Sequence, residues 1–437
     1  MKGKHRKLIS FLVMVSILSM LLIGVTVSQA AKRVSLSFWS GYPEMEPVFN
    51  KIVEDYQKLH PDVGIDVSTY KLREVERKLA VSIPTRTGPD IFQRMPYIGH
   101  RFVEGGYIQP LPPELDALLR SKVFTPYHVD FASHEGKTYA LPMFQGVEVM
   151  FWNRDMFYDA GLVHAPTTWQ ELIDYAKKLV KFDAAGNMVR SGISLRLSGA
   201  GSGVTEKWWF WLWPAGGTIL EKTPSGKYHN GYNNQAGREA LTLYIDLLYK
   251  YNVDSYKVKH DAESFALGAT AMFTRESWVI GYINEHAPNL NYDTALLPNY
   301  RRWGTNINPE NTYVTKKCRN LDVAFDFVKF MLKPEYGKLT LETSGWFPAR
   351  RDIDYTSIFK ETPQFRAFVE FPKGYGAYGY PKIGAIDEVM TKLAERLVAA
   401  YMRKDLLDNP KGIAKVIAEA AEESDNILKE AGLYGEK

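Results

Sequence analysis

Apolar and polar residues follow two alternating periods along the first hundred positions. Residues 34–39 alternate with a period of two, as a half-buried strand does, and apolar residues then recur at helical spacing over 45–60, where Pro61 ends the segment. The period returns to two over 63–70. This strand–helix–strand unit is typical of parallel α/β sheets, in which ligands bind beside the carboxyl ends of the strands.

The same alternation continues to the end of the chain. Further strands are predicted from Ile91 onward and over 146–152, 268–273 and 292–298, and helices over 72–81, 168–181, 235–251, 321–332, 386–403 and 413–428. The helix at 168 begins with a capping box, in which Thr168 and Glu171 satisfy its first free amides. This repeated alternation predicts an α/β protein with parallel-rich sheets.

One stretch, residues 206–217, does not fit a single amphipathic stripe. Five of the six residues from Trp208 to Trp213 are aromatic, and four of the ten tryptophans of the chain lie there. A helix of this composition shows indole on every side, so one buried stripe does not account for it. Flat apolar faces with an N–H group suit a sugar ring, while burial in a core is the alternative explanation.

The first thirty residues have the pattern of a secretory signal peptide. Four basic residues precede an apolar run over 8–27, and Ser28-Gln29-Ala30 offers small residues at the two positions that a signal peptidase reads. Cleavage after Ala30 is expected, although the apolar run is long enough for an uncleaved anchor. No cysteine lies nearby, so a lipid anchor is not indicated.

Removing this signal changes the charge of the protein. The signal carries four of the 54 basic residues and no acidic one, which leaves 50 basic and 50 acidic residues. A neutral exported protein fits an uncharged ligand and lacks the basic excess of a nucleic-acid surface. The single Cys318 excludes an intrachain disulfide and a cysteine-cluster metal site. The remaining chain, about 407 residues, is longer than one core usually organises, so two domains are expected.

Five motifs lie in order along nearly the whole exported chain. They are Phe38-Trp39-Ser40-Gly41-Tyr42; Gly88-Pro89-Asp90-Ile91-Phe92 with Gly106-Tyr107-Ile108; Phe151-Trp152-Asn153-Arg154-Asp155 with Pro166-Thr167-Thr168-Trp169; Gly268-Ala269-Thr270-Ala271-Met272 with Trp278; and Ser344-Gly345-Trp346-Phe347-Pro348. Together, behind a signal peptide, they resemble extracellular solute-binding protein family 1, the ABC-importer proteins that include maltose-binding protein.

The resemblance implies the class II type of the two-lobed periplasmic-binding-protein fold. Each lobe is then a mostly parallel sheet flanked by helices, with the ligand cleft between the lobes. The first lobe is expected to comprise residues 31–143 and 298–344, and the second 144–297 and 345–437. Hinges near Pro142 and Leu297-Pro298 let the lobes close over the ligand. The implied protein is a monomer in the periplasm or at the cell surface, and it hands its ligand to ABC permease subunits.

The resemblance also places ligand-binding residues at matching positions. They are Tyr42, Glu44, Arg94, Tyr97, Gln145, Glu148, Trp208, Trp209, Trp278, Trp346 and Tyr380. Planar polar groups among them suit sugar hydroxyls, and the rings suit the sugar faces. Arg94 stands where maltose-binding protein has an aromatic platform and Tyr97 where it has an acid, and Asn308-Pro309-Glu310 replaces a glycine pair common in the family. Specificity for maltodextrin is therefore left open.

Other functions have weaker support in the sequence. Arg94 and Lys382 would suit a phosphate, so an anionic ligand such as glycerol phosphate is the main alternative. A secreted glycoside hydrolase needs two carboxylates at a fixed separation, and no motif singles out such a pair. The nine histidines, including His128 and His134, lack His-Glu-x-x-His spacing. The sequence therefore predicts binding of a sugar, oligosaccharide or polyol, with no catalytic residue, cofactor, metal or nucleic-acid partner.

Overall fold

The computed structural model describes residues 34–258 and 261–436, and the predicted signal peptide lies outside these residues. Within the described ranges, no helix combines the length and the apolar character needed to cross a membrane. The strands are β1 (Val34–Ser40), β2 (Val63–Thr69), β3 (Ile91–Arg94), β4 (Ser133–His134), β5 (Lys137–Thr138), β6 (Ala140–Val147), β7 (Val149–Asn153), β8 (Lys181–Phe182), β9 (Met188–Arg190), β10 (Leu220–Lys222), β11 (Tyr228–Asn230), β12 (Met272–Arg275), β13 (Tyr292–Ala295), β14 (Gly304–Val314), β15 (Phe347–Pro348) and β16 (Gly376–Tyr378).

The helices occupy most of the segments between these strands. They are α1 (Glu46–Leu59), α2 (Leu72–Ser82), α3 (Pro96–Glu104), α4 (Pro113–Leu119), α5 (Pro126–Phe131), α6 (Arg154–Asp159), α7 (Trp169–Leu179), α8 (Gly203–Leu212), α9 (Gln235–Ile245), α10 (Ala262–Ala266), α11 (Trp278–His286), α12 (Leu321–Met331), α13 (Pro334–Ser344), α14 (Thr356–Glu361), α15 (Ile386–Tyr401) and α16 (Pro410–Glu430). A π-helical segment, Asp246–Lys250, continues α9. The predicted β1–α1–β2 unit is confirmed, and its ends differ from the predicted ones by one residue.

Two sheets form the centres of a two-lobed α/β molecule, as the sequence predicts. The first sheet has the order β15-β6-β14-β3-β1-β2, with β16 attached to β14, and the second has the order β12-β7-β13. Strand β1 pairs in parallel with both β2 and β3.

The sheets are mixed rather than mostly parallel. Strand β14 is antiparallel to β3 and β6, and β7 is antiparallel to both of its neighbours. The reason is the path of the chain: β6 leaves the first sheet for the second, while β14 brings the chain back. Adjacent strands that carry the chain in opposite directions between two lobes must be antiparallel.

The chain passes directly from one sheet to the other at Glu148. Strand β6 pairs with β14 as far as Val147, and β7 begins at Val149. The expected hinge at Pro142 lies inside β6, where the register with β14 shifts between Glu310 and Asn311. Proline has no N–H group to donate, and such bulges are where a sheet accommodates it. The lobe boundaries stay a prediction.

The aromatic stretch forms helix α8, which is buried on all sides. Trp208 is fully buried and meets Tyr232 edge to face, with ring centroids 5.8 Å apart. The hydroxyl of Thr205 donates to the carbonyl of Met390 in α15 at 2.7 Å. Helices from the end of the chain therefore cover the sides of α8 that a single sheet would leave exposed. Core packing, the alternative explanation, accounts for Trp208.

Candidate functional site

A cavity of about 790 Å³ opens between the two lobes. On one side it is lined by the loop after β1, the start of α2 and the start of α3. Facing them are the loop before α8, the end of β12 and the first turns of α11, with the loop after α13 closing one end. Ligands of parallel α/β sheets bind beside the carboxyl ends of the strands, and the cleft lies beside the carboxyl ends of β1 and β3. We call this cavity the cleft.

Five of the residues expected at the site line the cleft: Tyr42, Glu44, Tyr97, Trp278 and Trp346. Tyr42 and Glu44 follow β1, Tyr97 lies in the first turn of α3, and Trp278 is the first residue of α11. The two lobes thus both contribute aromatic rings to one cavity. That these side chains bind a ligand stays a prediction.

Trp346 is held in a compact aromatic cluster at one end of the cleft. Its ring meets Tyr42 at a centroid distance of 5.5 Å and Phe144 at 5.1 Å. Its indole N–H donates to Glu44 Oε1 at 3.0 Å. Burial raises the pKa of Glu44, and this hydrogen bond opposes the rise. The indole is therefore oriented before any ligand arrives.

Trp278 is half-buried and presents more of its ring to the cleft. Its indole N–H donates to Glu276 Oε2 at 3.2 Å, and the guanidinium of Arg275 lies 5.2 Å from the ring centroid. Burial opposes ionisation of Glu276, but Arg275 and Lys207 together hold the pKa of its carboxyl below the usual value. Glu276 is therefore an anionic acceptor beside an apolar ring, a combination that suits a polyhydroxylated ligand.

Arg94 does not reach the cleft, contrary to expectation. It is fully buried behind Tyr42, donating to the Tyr42 hydroxyl at 2.7 Å, to Glu76 Oε1 at 2.5 Å and to Glu310 Oε2 at 3.4 Å. A buried guanidinium must be paired within the protein, and these partners surround it. Lys382, the other expected phosphate ligand, donates to Asp130 Oδ1 at 2.5 Å and does not line the cleft.

Two polar residues of the central strands are also occupied elsewhere. Gln145 Oε1 lies 2.9 Å from His128 Nε2. Glu148, between the two sheets, is buried and accepts from the ammonium group of Lys207. Neither residue lines the cleft, because both side chains are engaged by His128 and Lys207 within the protein.

The remaining three expected residues, Trp208, Trp209 and Tyr380, are buried behind the cleft and do not line it. Trp208 lies in the core, as described above. Trp209 is buried against Tyr380 at a ring-centroid distance of 5.4 Å, and Tyr380 in turn lies 4.7 Å from the ring of Tyr97. Trp209 and Tyr380 therefore support a ring that lines the cleft without lining it themselves.

Several residues of the cleft were not anticipated. Tyr282 lies one helical turn after Trp278 on α11, a spacing that places both rings on one face and could have revealed it. The charged residues carry no comparable local signal. The cations are Lys71, Arg73, Arg196 and Arg275, and the carboxylates are Glu206, Glu276 and Glu285. Glu44, which was expected at the site, is the fourth carboxylate of the cleft.

Arg196 differs from the other arginines of the cleft. Arg73 donates to Glu76 at 2.7 Å, and Arg275 donates twice to Asp261. Arg196 makes no hydrogen bond or ion pair with any residue of the described ranges. Burial and the neighbouring Arg275 lower the pKa of its guanidinium. The charges of Asp261 and Glu206 raise this pKa in opposition, although neither forms a hydrogen bond or ion pair with Arg196.

The glycine-rich loop before α8 lies directly against two of these guanidinium groups. A Cβ atom at Gly203 would lie 2.6 Å from Arg196 Cζ, and one at Gly201 would lie 2.9 Å from Arg73 Cζ. Gly201 also has a positive φ of 68°. This loop therefore packs closely over the two arginines, and the positive φ of Gly201 favours glycine at that position.

The same loop links the two lobes across the cleft. Arg73 Nη2 donates to Ser202 Oγ at 3.1 Å, and the Tyr97 hydroxyl lies 3.5 Å from the same oxygen. Ser202 donates in turn to Glu206 Oε1 at 3.0 Å. Arg73 and Tyr97 belong to helices α2 and α3, whereas Ser202 precedes α8. These polar contacts bring the lobes together on one side of the cleft.

Comparison with known proteins identifies a family and a fold. The model of the family described as bacterial extracellular solute-binding protein matches residues 51–367. A maltotriose-binding protein of Pyrococcus abyssi is 23% identical over 399 residues, which cover 85% of this chain and 81% of that protein. The sn-glycerol-3-phosphate-binding periplasmic protein of Escherichia coli is 26% identical over 363 residues, covering 76% of this chain and 78% of that protein.

A solved structure shares the fold. The ABC transporter solute-binding protein of Thermotoga lettingae, bound with α-D-tagatose, superposes with a TM-score of 0.76 at 20% identity. The superposition covers 90% of this chain and all of that chain. The proteins matched in both comparisons are binding proteins.

Proposed function

The chain belongs to the family of bacterial extracellular solute-binding proteins, and we propose that it binds a neutral sugar, oligosaccharide or polyol for an ABC importer. The observation that carries this proposal is the pairing in one cleft of aromatic rings with polar acceptors. Trp278 and its acceptor Glu276 face Tyr42 of the first lobe across the cleft, and Trp346 lines one end of it. The maltotriose-binding and tagatose-bound relatives support the same ligand class.

The proposed mechanism is closure of the two lobes over the ligand. The lobes comprise residues 31–143 with 298–344 and 144–297 with 345–437, and the strands between them act as hinges. A ligand that touches both lobes favours the closed form over the open one. Permease subunits in the membrane then distinguish the closed form and receive the ligand unchanged. The protein works as a monomer outside the cytoplasmic membrane, in the periplasm or at the cell surface, and it catalyses no reaction.

An anionic ligand is a second candidate, and Arg196 is the observation that favours it. Four cations line the cleft, and Arg196 forms no hydrogen bond or ion pair with a described residue, although the charges of Asp261 and Glu206 act on it. A guanidinium in a partly dry site binds phosphate or carboxylate with paired hydrogen bonds. The glycerol-3-phosphate-binding relative supports this alternative. Arg94 and Lys382, the residues first expected to bind the anion, are not part of it.

Titration of the exported chain with two kinds of probe separates these candidates. Maltotriose and glycerol 3-phosphate are added in turn while tryptophan fluorescence is followed, and each dissociation constant is verified by calorimetry. Saturable binding of maltotriose alone supports the neutral-sugar proposal. A response to glycerol 3-phosphate alone overturns it in favour of the anionic ligand.

Substitutions in the cleft test the site itself. Trp278→Ala is expected to weaken binding of the responding probe about 30-fold, a loss of about 2 kcal/mol typical of a buried aromatic contact. Trp39→Ala is the control, because Trp39 is also half-buried but lies outside the cleft, where it packs on Tyr70 at a ring-centroid distance of 5.4 Å. Arg196→Gln should weaken binding of glycerol 3-phosphate more than that of maltotriose. Equal affinities in the wild type and the Trp278 variant contradict the proposed site.

A further inference from the structure

Two histidines and a glutamate meet away from the cleft, at the end of α3. His100 and Glu104 are four residues apart on this helix, which places them on one face. His134 in β4 packs against them, with its ring centroid 4.9 Å from that of His100. One possible ligand atom from each residue lies within 4.8 Å of the other two. We call these residues the His–Glu cluster.

The distances in the cluster suit a single metal ion. His100 Nε2 and Glu104 Oε1 are 3.5 Å apart. Two ligands at about 2.1 Å from a tetrahedral zinc ion lie about 3.4 Å from each other. The pair therefore requires almost no movement to bind one ion, and a rotation of the partly exposed His134 ring completes a set of three ligands.

The surroundings hold this arrangement in place. The second carboxylate oxygen of Glu104, Oε2, accepts from the backbone N–H of Gly384 at 3.0 Å. Such a hydrogen bond orients a metal-binding carboxylate and leaves Oε1 available. The helix has little freedom to shift, because a Cβ atom at Gly99 would lie 2.3 Å from the ring of Tyr313.

Access and charge are also compatible with a cation. His100 is buried, which favours its neutral, metal-binding form, whereas the Glu104 side chain is 34% exposed. Lys382, a cation whose charge acts on His100, is paired with Asp130 at 2.5 Å. The charge of Lys382 is therefore compensated within the protein, and the exposed part of the Glu104 carboxylate is open to an ion from solvent.

We propose that His100, Glu104 and His134 form a binding site for a divalent transition-metal ion of the zinc class. Two imidazoles and one carboxylate are ligands that Zn²⁺ prefers, and a water molecule would fill the fourth position. Because Glu104 also holds Gly384, the ion would tie α3 and β4 to the segment before α15. No local sequence pattern indicates this site, since His134 is thirty residues from Glu104 and His-Glu-x-x-His spacing is absent.

Calorimetric titration of the exported chain with Zn²⁺ tests the proposal. The protein carries no histidine tag, and the buffer does not chelate the metal. One saturable site is expected, together with a higher Tm in the presence of the ion. His134→Ala and Glu104→Gln should each raise Kd at least about tenfold. Both positions are partly exposed, and the glutamine can still accept from Gly384.

A matched histidine variant controls for adventitious binding. His60 Nε2 lies 3.7 Å from Asp326 but belongs to no group of three ligands in the described ranges. His60→Ala should therefore keep the wild-type Kd. Circular dichroism verifies that each variant is folded. The proposal is overturned if Zn²⁺ shows no one-site binding, or if His134→Ala binds as tightly as the wild type.

Discussion

At the scale of single residues, the least expected feature is the charge network behind Tyr42. Arg94 and Glu310 are both fully buried, 3.4 Å apart. Burial raises the pKa of Glu310 to about 8, although Arg94 opposes the rise. Glu76 is the closer partner of Arg94, and Arg94 and Arg73 hold its pKa below the usual value against the effect of burial. Arg94 therefore orients Tyr42 from behind while Glu76 balances its charge.

This network predicts a pH dependence of stability. Because the pKa of Glu310 is raised in the folded state, the folded chain keeps a proton that the unfolded chain has released. The stabilisation is complete below about pH 4.5 and is lost as the pH rises through about 8. In this window the free energy of unfolding falls by up to about 1.4 kcal/mol per pH unit on account of Glu310.

Urea unfolding of the wild type and of Glu310→Gln measures this effect. The variant should show a shallower loss of stability between about pH 5 and pH 8, since an amide does not titrate. Burial also raises the pKa of Glu148, but that group is present in both proteins, so the difference isolates Glu310. Parallel pH profiles would show that Glu310 does not hold the extra proton.

At the scale of elements, helix α7 shows how local signals act. The Thr168 hydroxyl accepts from the amide of Glu171 at 3.2 Å, as predicted. The Glu171 carboxylate accepts from the amide and the hydroxyl of Thr167 at 2.7 Å each, rather than from the amide of Thr168. Thr168 pairs with Asn299 in an isolated parallel bridge. In this bridge the Trp169 amide donates to the Asn299 carbonyl at 3.2 Å and the Asn299 amide donates to the Thr167 carbonyl at 2.8 Å, so a long-range contact holds the residues on both sides of the cap.

The cap gives a stability prediction. Thr168→Ala leaves the amide of Glu171 without its acceptor and should lower the free energy of unfolding by about 1 kcal/mol. Thr362→Ala is the control, because Thr362 precedes a short helix without capping it through its side chain. That variant should stay within about 0.5 kcal/mol of the wild type. Thermal or urea unfolding compares the two, and equal losses would contradict a specific role of the cap.

At the scale of the whole molecule, the two lobes meet through the loop that covers the arginines. Ser202 receives a hydrogen bond from Arg73 and lies beside the Tyr97 hydroxyl, while the chain passes between the sheets at Glu148. If closure is the working motion of the protein, these contacts stabilise the form in which the lobes approach each other. They act independently of any ligand, so they set the balance between open and closed forms of the free protein.

Ser202→Ala tests this role. Loss of a hydrogen bond worth about 1 kcal/mol shifts a two-state equilibrium about fivefold toward the open form. The radius of gyration of the free protein, measured by small-angle X-ray scattering, should therefore increase. Ser198→Ala, in the exposed part of the same loop, should leave it unchanged. If both variants scatter as the wild type does, these contacts do not control closure.

Much of the fold and about half of the candidate site could be predicted from the sequence. The family resemblance predicts Tyr42, Glu44 and Tyr97 at the site, and all three follow strands whose carboxyl ends border the cleft. Arg94 also ends such a strand, but its side chain turns inward to Glu76 and Glu310. Glu310 lies 216 residues from Arg94, and no local pattern shows that the two will meet.

The sequence by itself determined the α/β class and most of the long helices, because period, caps and prolines act over a few residues, while the two lobes were implied by the family resemblance. Tertiary structure alone decided which rings border the cleft. Trp208 and Trp209 are enclosed because α15, whose Met390 lies 185 residues from Thr205, packs on their helix. Trp278 stays accessible because its helix begins at the meeting of the lobes. Burial depends on which distant elements pack together, and residue type does not encode that.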